Sequence, residues 1–255
     1  MLGQTIRSLD NEFGSKRVTV DSATGMHCFL HDGTLHGLQC FAGGQETLPT
    51  GYFHEGGLFG SVMGLVRNKS CARVGVIGLG VGCLAPYVEV GQSLTFYEID
   101  PQVIDIANDP ACFTFLRDCR GECVVVEGDG LKGLALEDAG TFDLIMHDAF
   151  SGDTFSDDLI KDDAMELYRS RLRAGGVLAF HISMMADQDH DGGVRRILFE
   201  RVKRSGFQLL LGDDMDLSAE DRADGRMGTR FLVCALDGEA LLPLRGDQRW
   251  TVPEV

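Results

Sequence analysis

Residues 73–100, RVGVIGLGVGCLAPYVEVGQSLTFYEID, set the architecture of this 255-residue chain. An apolar run (Val74, Val76, Ile77) stops at Gly78-Leu79-Gly80-Val81-Gly82, and a second apolar run ends in Glu98 and Asp100. The order reads as strand, glycine turn, helix, strand, acid. Gly78, Gly80 and Gly82 allow backbone to approach a ligand, and an acid at the second strand end accepts from ribose hydroxyls. The unit is expected to bind an adenosine-containing cofactor. A dinucleotide fingerprint needs its third glycine at position 83, where Cys83 stands; the spacing here is G-x-G-x-G.

Working outward, strand and helix patterns alternate after Ala72, which implies a mostly parallel sheet covered on both faces. Strands are expected at 73–77, 94–98, 123–127, 142–147 and 175–182, and helices at 82–90, 101–108, 130–137, 157–172 and 192–205. Two late runs, 207–211 and 230–236, are joined by an acidic segment with no helical pattern, so they form an antiparallel hairpin. Upstream, RVTV, MHCFL and TLHGLQCF are short runs split by turn residues. They read as a small antiparallel meander within 17–41. A helical stretch, LFGSVMGLV, leads into the glycine unit. The division expected is 1–66 for the meander and lead-in helix, and 67–255 for a Rossmann-like domain.

In an open α/β sheet the ligand sits at the carboxyl ends of the strands. Those ends carry Gly78, Gly80 and Gly82; Glu98 and Asp100; Asp129 with Gly130; His147, Asp148 and Asp153; and His181 with Ser183. Taken singly, each is a turn or capping residue. Acids after four successive strands together point to a site. Glu98 suits a vicinal diol, because it offers two acceptor oxygens. Asp129 can accept from an adenine amino group or cap the helix that follows. Asp148 can bind an ammonium and take its proton, and Asp153 is a second candidate.

Composition limits the partners. The formal charge of −16 argues against nucleic acid and suits a cationic substrate or simple solubility. No apolar stretch reaches the ~20 residues that span a membrane, and the N-terminus lacks the apolar core of a signal peptide, so a cytoplasmic protein is expected. Eight cysteines form no C-x-x-C pair, and His27, His31 and His36 read as strand histidines, so no metal is expected. The acidic segment 212–228 reads as solvated, in a position to lid the site. Met184-Met185 could line an apolar pocket.

With these residues in hand, the chain resembles the spermidine synthase-like family of polyamine aminopropyltransferases, within the S-adenosylmethionine (SAM) methyltransferase superfamily. YEIDPQVIDIA resembles that family's V-E-I-D-P-x-V-I-x-x-A, and VVVEGDGLKGL its V-x-x-G-D-G-x-x-x-L. FDLIMHDAFSGD resembles Y-D-V-I-I-x-D-S-x-D-P, and LRAGGVLAFHIS the strand that follows. The resemblance covers roughly residues 17 to 210 and implies a seven-stranded class I SAM-methyltransferase fold behind an N-terminal β-meander. It implies decarboxylated SAM or SAM as cofactor, a polyamine-like amine as substrate, and a homodimer. By it, Glu98 holds ribose and Asp129 adenine, Asp148 handles the attacking amine, and Gln39, Tyr52 and His54 line the substrate channel; His181, at the end of the fifth strand, is a further substrate-binding candidate. Three positions depart. Val81 stands where the synthases carry an acid near the aminopropyl end, Ser151 stands at the second acid, and the following Pro is missing.

Three readings follow. The first is aminopropyl transfer from decarboxylated SAM to an amine. The second, favoured by Val81, is a small-molecule methyltransferase or another enzyme consuming intact SAM. The third is a module that binds such a ligand without chemistry.

Overall fold

The computed structural model describes residues 3–149, 157–182, 193–223 and 225–253. Two sheets organise them. The first is a four-stranded antiparallel meander of β1 (Gln4–Asn11), β2 (Gly14–Asp21), β3 (Met26–His31) and β4 (Thr34–Cys40), paired in sequence order. The sequence runs matched β2 to β4. β1 escaped them because QTIRSLDN is polar and half-exposed, an edge strand with only Ile6 and Leu9 as apolar side chains.

The second sheet holds β5 (Arg73–Ile77), β6 (Ser93–Glu98), β7 (Glu122–Glu127), β8 (Phe142–His147), β9 (Leu172–His181), β10 (Gln208–Asp213), β11 (Arg230–Ala235) and β12 (Trp250–Thr251). Its order is β12-β10-β11-β9-β8-β5-β6-β7. β7, β6, β5, β8 and β9 run parallel; β11 joins β9 antiparallel, and β10 and β12 follow antiparallel. This is the expected seven-strand plan with the late hairpin, plus a two-residue edge strand. β8 is buried on both faces along its length, which is why FDLIMH reads as a run rather than an alternation.

Helices α1 (Leu58–Arg67), α2 (Pro101–Asn108), α3 (Gly130–Ala135), α4 (Asp162–Arg171) and α5 (Gly193–Arg204) fall where the periodicity put them, and α6 (Ala219–Ala223) and α7 (Leu242–Arg245) add short turns. Asp100 and Asp129 cap α2 and α3, their side chains accepting from Gln102 N and Lys132 N. The expected helix over 82–90 is only a 3₁₀ turn, Ala85–Tyr87. Val88 is already extended, and the Tyr87 hydroxyl donates to the Phe53 carbonyl instead of facing solvent. Helix α1 buries Leu58, Phe59, Val62, Met63 and Val66, and packs against β11.

The two sheets share a core, with Val18 and Phe29 of the meander in one cluster with Val74, Val76 and Phe96. Gly37 of β4 lies against Val81: a Cβ there would stand 2.6 Å from a Val81 methyl. A buried ion pair also crosses the seam. Lys16 Nζ lies 2.6 Å from Asp100 Oδ2, both side chains almost wholly buried, and Asn11 Nδ2 donates to Asp100 Oδ1 at 2.7 Å. Among the described residues no helix is long and apolar enough to cross a membrane.

Candidate active site

Strand order reverses between β5 and β8, and a cavity of about 550 Å³ opens there, outside the carboxyl ends of the strands. Gly78, Gly80, Glu98, Asp100, Asp129, Gly130, Tyr52, Asp148 and His181 all line it. Gly78 has φ +99°, and a Cβ would stand 2.4 Å from the Asp148 carbonyl oxygen, so only glycine lets the ends of β5 and β8 close up. Asp148 N donates to Ile77 O across the same junction.

Glu98 is buried at the end of β6. Its Oε2 accepts from Leu79 N and its Oε1 from Asp100 N, both at 2.9 Å. The carboxylate therefore fixes the glycine turn while each oxygen keeps a second lone pair. Burial pushes its pKa up, against the pull of those two amides. Asp100 is committed differently. Burial alone would raise its pKa, but Lys16, Asn11 and Gln102 N hold it below the ordinary aspartate value. Asp100 lines the cavity as a charge already neutralised, and its work is to anchor the meander to β6 and cap α2. Asp129 caps α3, its Oδ1 accepting from Lys132 N at 2.9 Å, and the residue also lines the cavity.

Across the cavity, His181 Nδ1 lies 2.6 Å from Asp148 Oδ1, and His181 Nε2 lies 3.0 Å from Thr229 Oγ1. The imidazole packs against two rings, with Phe231 stacked at 4.9 Å and 16° and Tyr52 tilted at 5.1 Å and 35°. Burial raises the Tyr52 phenol well above its ordinary value, and the Asp148 charge adds to this, so the phenol stays protonated. His147, one residue before Asp148, is wholly buried and stacks on Phe180; burial drives its pKa down to about 3.

Three sequence-derived residues sit elsewhere. Gln39 is buried in the seam, its amide donating to Glu46 O and Thr114 Oγ1 and accepting from Thr114 N, so it ties β4 to the loop after α2. His54 accepts from Gly56 N in a local turn outside the cavity lining. Gly82 faces Leu116 rather than the cavity. Val81 is likewise buried, under Gly37, and does not line the cavity. Asp153, Ser151, Ser183, Met184 and Met185 lie outside the described residues.

Other lining residues escaped the sequence reading. Phe13, Phe29, His31, Thr34, Leu35 and His36 bring the meander over the glycine turn. From the acidic segment, Met215, Met227 and Gly228 reach the cavity, in line with its expected position. Asp214 anchors that segment, accepting from Thr229 N and lying 3.6 Å from both Arg226 and Arg249. One signal was available: Lys16 alternates with Val18 on β2, which puts a lysine on the buried face. Among the described residues no group of three or more His, Cys, Asp or Glu could hold a metal.

No family model matches the sequence, and no curated protein matches it. Solved structures do. A probable spermidine synthase from Corynebacterium glutamicum superposes with TM-score 0.64 at 13% identity, over 92% of this chain and 80% of that one. Spermidine synthase from Thermotoga maritima gives 0.63 at 16%, over 95% and 76%. A spermidine synthase in complex with the transition state analogue AdoDATO gives 0.64 at 16%, over 95% and 77%. Human methyltransferase-like protein 13, in complex with SAH, gives 0.50 at 19%, over 71% and 82%. At these identities the likeness is one of architecture: the chain has the spermidine synthase-like fold, an antiparallel meander set on a SAM-methyltransferase-like sheet.

Proposed function

We propose that this protein is a spermidine synthase-like transferase that moves an aminopropyl group from decarboxylated SAM to an amine, with Asp148 receiving the amine's proton. The observation that carries this reading is a single cavity lined by Gly78, Gly80, Glu98 and Asp129 and also by Asp148. The first set suits a nucleoside, whose ribose hydroxyls meet Glu98 and whose adenine meets Asp129. Asp148 then stands near the group that reacts. The volume, about 550 Å³, suits a nucleoside with a small amine. The analogue bound by one structural neighbour supports the same ligand class. The reaction is a displacement at carbon beside a cationic sulfur, so positioning and electrostatics supply the rate. Action in the cytoplasm as a homodimer belongs to the same proposal; light scattering at twice 27.7 kDa tests the dimer.

The test is incubation with decarboxylated SAM and a panel of mono- and diamines, reading release of methylthioadenosine. Release that depends on the amine supports the proposal. Turnover of intact SAM to S-adenosylhomocysteine would replace it with methyl transfer. That second reading is favoured by position 81, where the acid of the synthases is a valine packed against Gly37.

A further inference from the structure

The Asp148 carboxylate is not a lone base in a wet cleft. Its Oδ1 is engaged by His181 Nδ1 at 2.6 Å, in the short range of charge-assisted bonds. Phe231 stacks on the imidazole at 4.9 Å and the Tyr52 ring packs against it at 5.1 Å, which restricts its rotation. Its far nitrogen meets Thr229 Oγ1 at 3.0 Å. Thr229 is wholly buried and its amide donates to Asp214 Oδ1, so the hydroxyl sits on a fixed stretch of backbone. Ile182 N donates to Arg230 O, locking β9 to β11 at that point. Among the described residues, the titratable groups against the imidazole include Asp148 just past β8, Tyr52 from the loop before α1, and the nearby His147.

We infer that His181 is the positioning residue of this site, held by Thr229 as the Nδ1–H tautomer so that it fixes Asp148 Oδ1 and leaves Oδ2 to receive the substrate's proton. The inference rests on the transferase reading for its chemistry, though not for its geometry. A Thr229 hydroxyl that donates to Nε2 leaves the ring's only proton on Nδ1, which makes the imidazole a standing donor to the carboxylate. The carboxylate then has one orientation instead of several. In the reaction, the amine nitrogen's lone pair forms the new C–N bond as the C–S pair returns to sulfur. The nitrogen's surplus proton passes to Asp148 Oδ2 and from there to water. His181 neither gains nor loses a proton in this sequence; it keeps the receiving oxygen aimed, and misaimed groups cost about 10²-fold in rate.

Two experiments test this together. Nitrogen NMR of histidine-labelled free protein reads the tautomer without any activity. The inference expects His181 protonated at Nδ1, and Thr229→Val to move the ring toward the Nε2–H form. An Nε2–H ring in the unaltered protein overturns it. Kinetics then separate donation from packing. His181→Leu fills the slot without a donor and is expected to lower kcat about 10²-fold with KM for the donor nucleoside little changed. His181→Asn restores an amide N–H where Nδ1 lies and is expected to recover kcat to within a few-fold. Equal losses in both variants, or none in His181→Leu, overturn the inference. If no amine is turned over at all, the transferase reading fails, and the NMR result alone decides the geometry.

Discussion

Gly78, Glu98 and Asp129 each lie within two residues of a parallel strand's carboxyl end, on consecutive strands of one α/β run. The rest of the lining includes Asp148, His181, Tyr52 and Met227, from the ends of β8 and β9, the loop before α1 and the acidic segment, with Thr229 buried behind His181. The first side is made by local order: a turn, a cap, a strand end. The second is made by tertiary packing, and its central contact joins residues 33 apart in sequence. The difference teaches that the residues proposed for the ligand's common part can be read from spacing, whereas those proposed for the chemistry depend on which distant elements meet.

Substitutions can pull the two sides apart. The largest effect is expected from Asp148→Asn, which removes the proposed base while keeping the shape. Turnover should fall roughly 10² to 10⁴-fold, while calorimetric affinity for the nucleoside changes little. Equal losses in both would mean that the sides are not separable.

Lys16→Met should be the largest stability effect. It strands the Asp100 carboxylate, buried at the cavity edge beside Glu98, and breaking such a pair costs about 3–5 kcal/mol. Because Asp100 is held below its ordinary value in the folded state, its contribution is present above the unfolded value and is lost as pH falls through the folded one. Chemical denaturation at neutral pH and near pH 3 should therefore show a smaller Lys16→Met penalty in acid. A penalty independent of pH contradicts the ion-pair account.

His147 offers the matching probe one residue before Asp148. Its folded value of about 3 lies below the ordinary 6.5, so the unfolded chain binds the extra proton first. The stability held above pH 6.5 should decline as pH falls toward 3, by up to about 1.4 kcal/mol per pH unit. His147→Gln should flatten that decline, as read by denaturant midpoints from pH 7 to 5. The smallest effect, about 1–3 kcal/mol, is expected from Gly37→Ala, whose methyl would press on Val81 and lift the meander from the glycine turn. Thermal melting measures it, and nucleoside affinity should weaken with it.

The legible parts of the molecule share a physical cause. β5, β6 and β8 are covered on at least one face throughout, so their apolar runs survive in the sequence, and α2 is framed by its own cap and Pro101. The expected 82–90 helix failed where tertiary contacts overrode local propensity: Tyr87 is drawn in to Phe53, and the chain leaves as extended backbone at Val88. Gln39 was assigned to substrate by the family resemblance, yet Thr114 and Glu46 consume its amide. Thr229 left no trace at all, because a single threonine before a strand carries no pattern. Lys16 did leave one, in its alternation with Val18.

The most direct test of the account is parallel calorimetric titration of the protein with decarboxylated SAM, SAM and methylthioadenosine. The account predicts binding of the nucleoside compounds, with decarboxylated SAM tighter than SAM, and loss of that binding in Glu98→Ala. Absence of binding by all three would contradict the cavity's assignment, and a preference for intact SAM would contradict aminopropyl transfer.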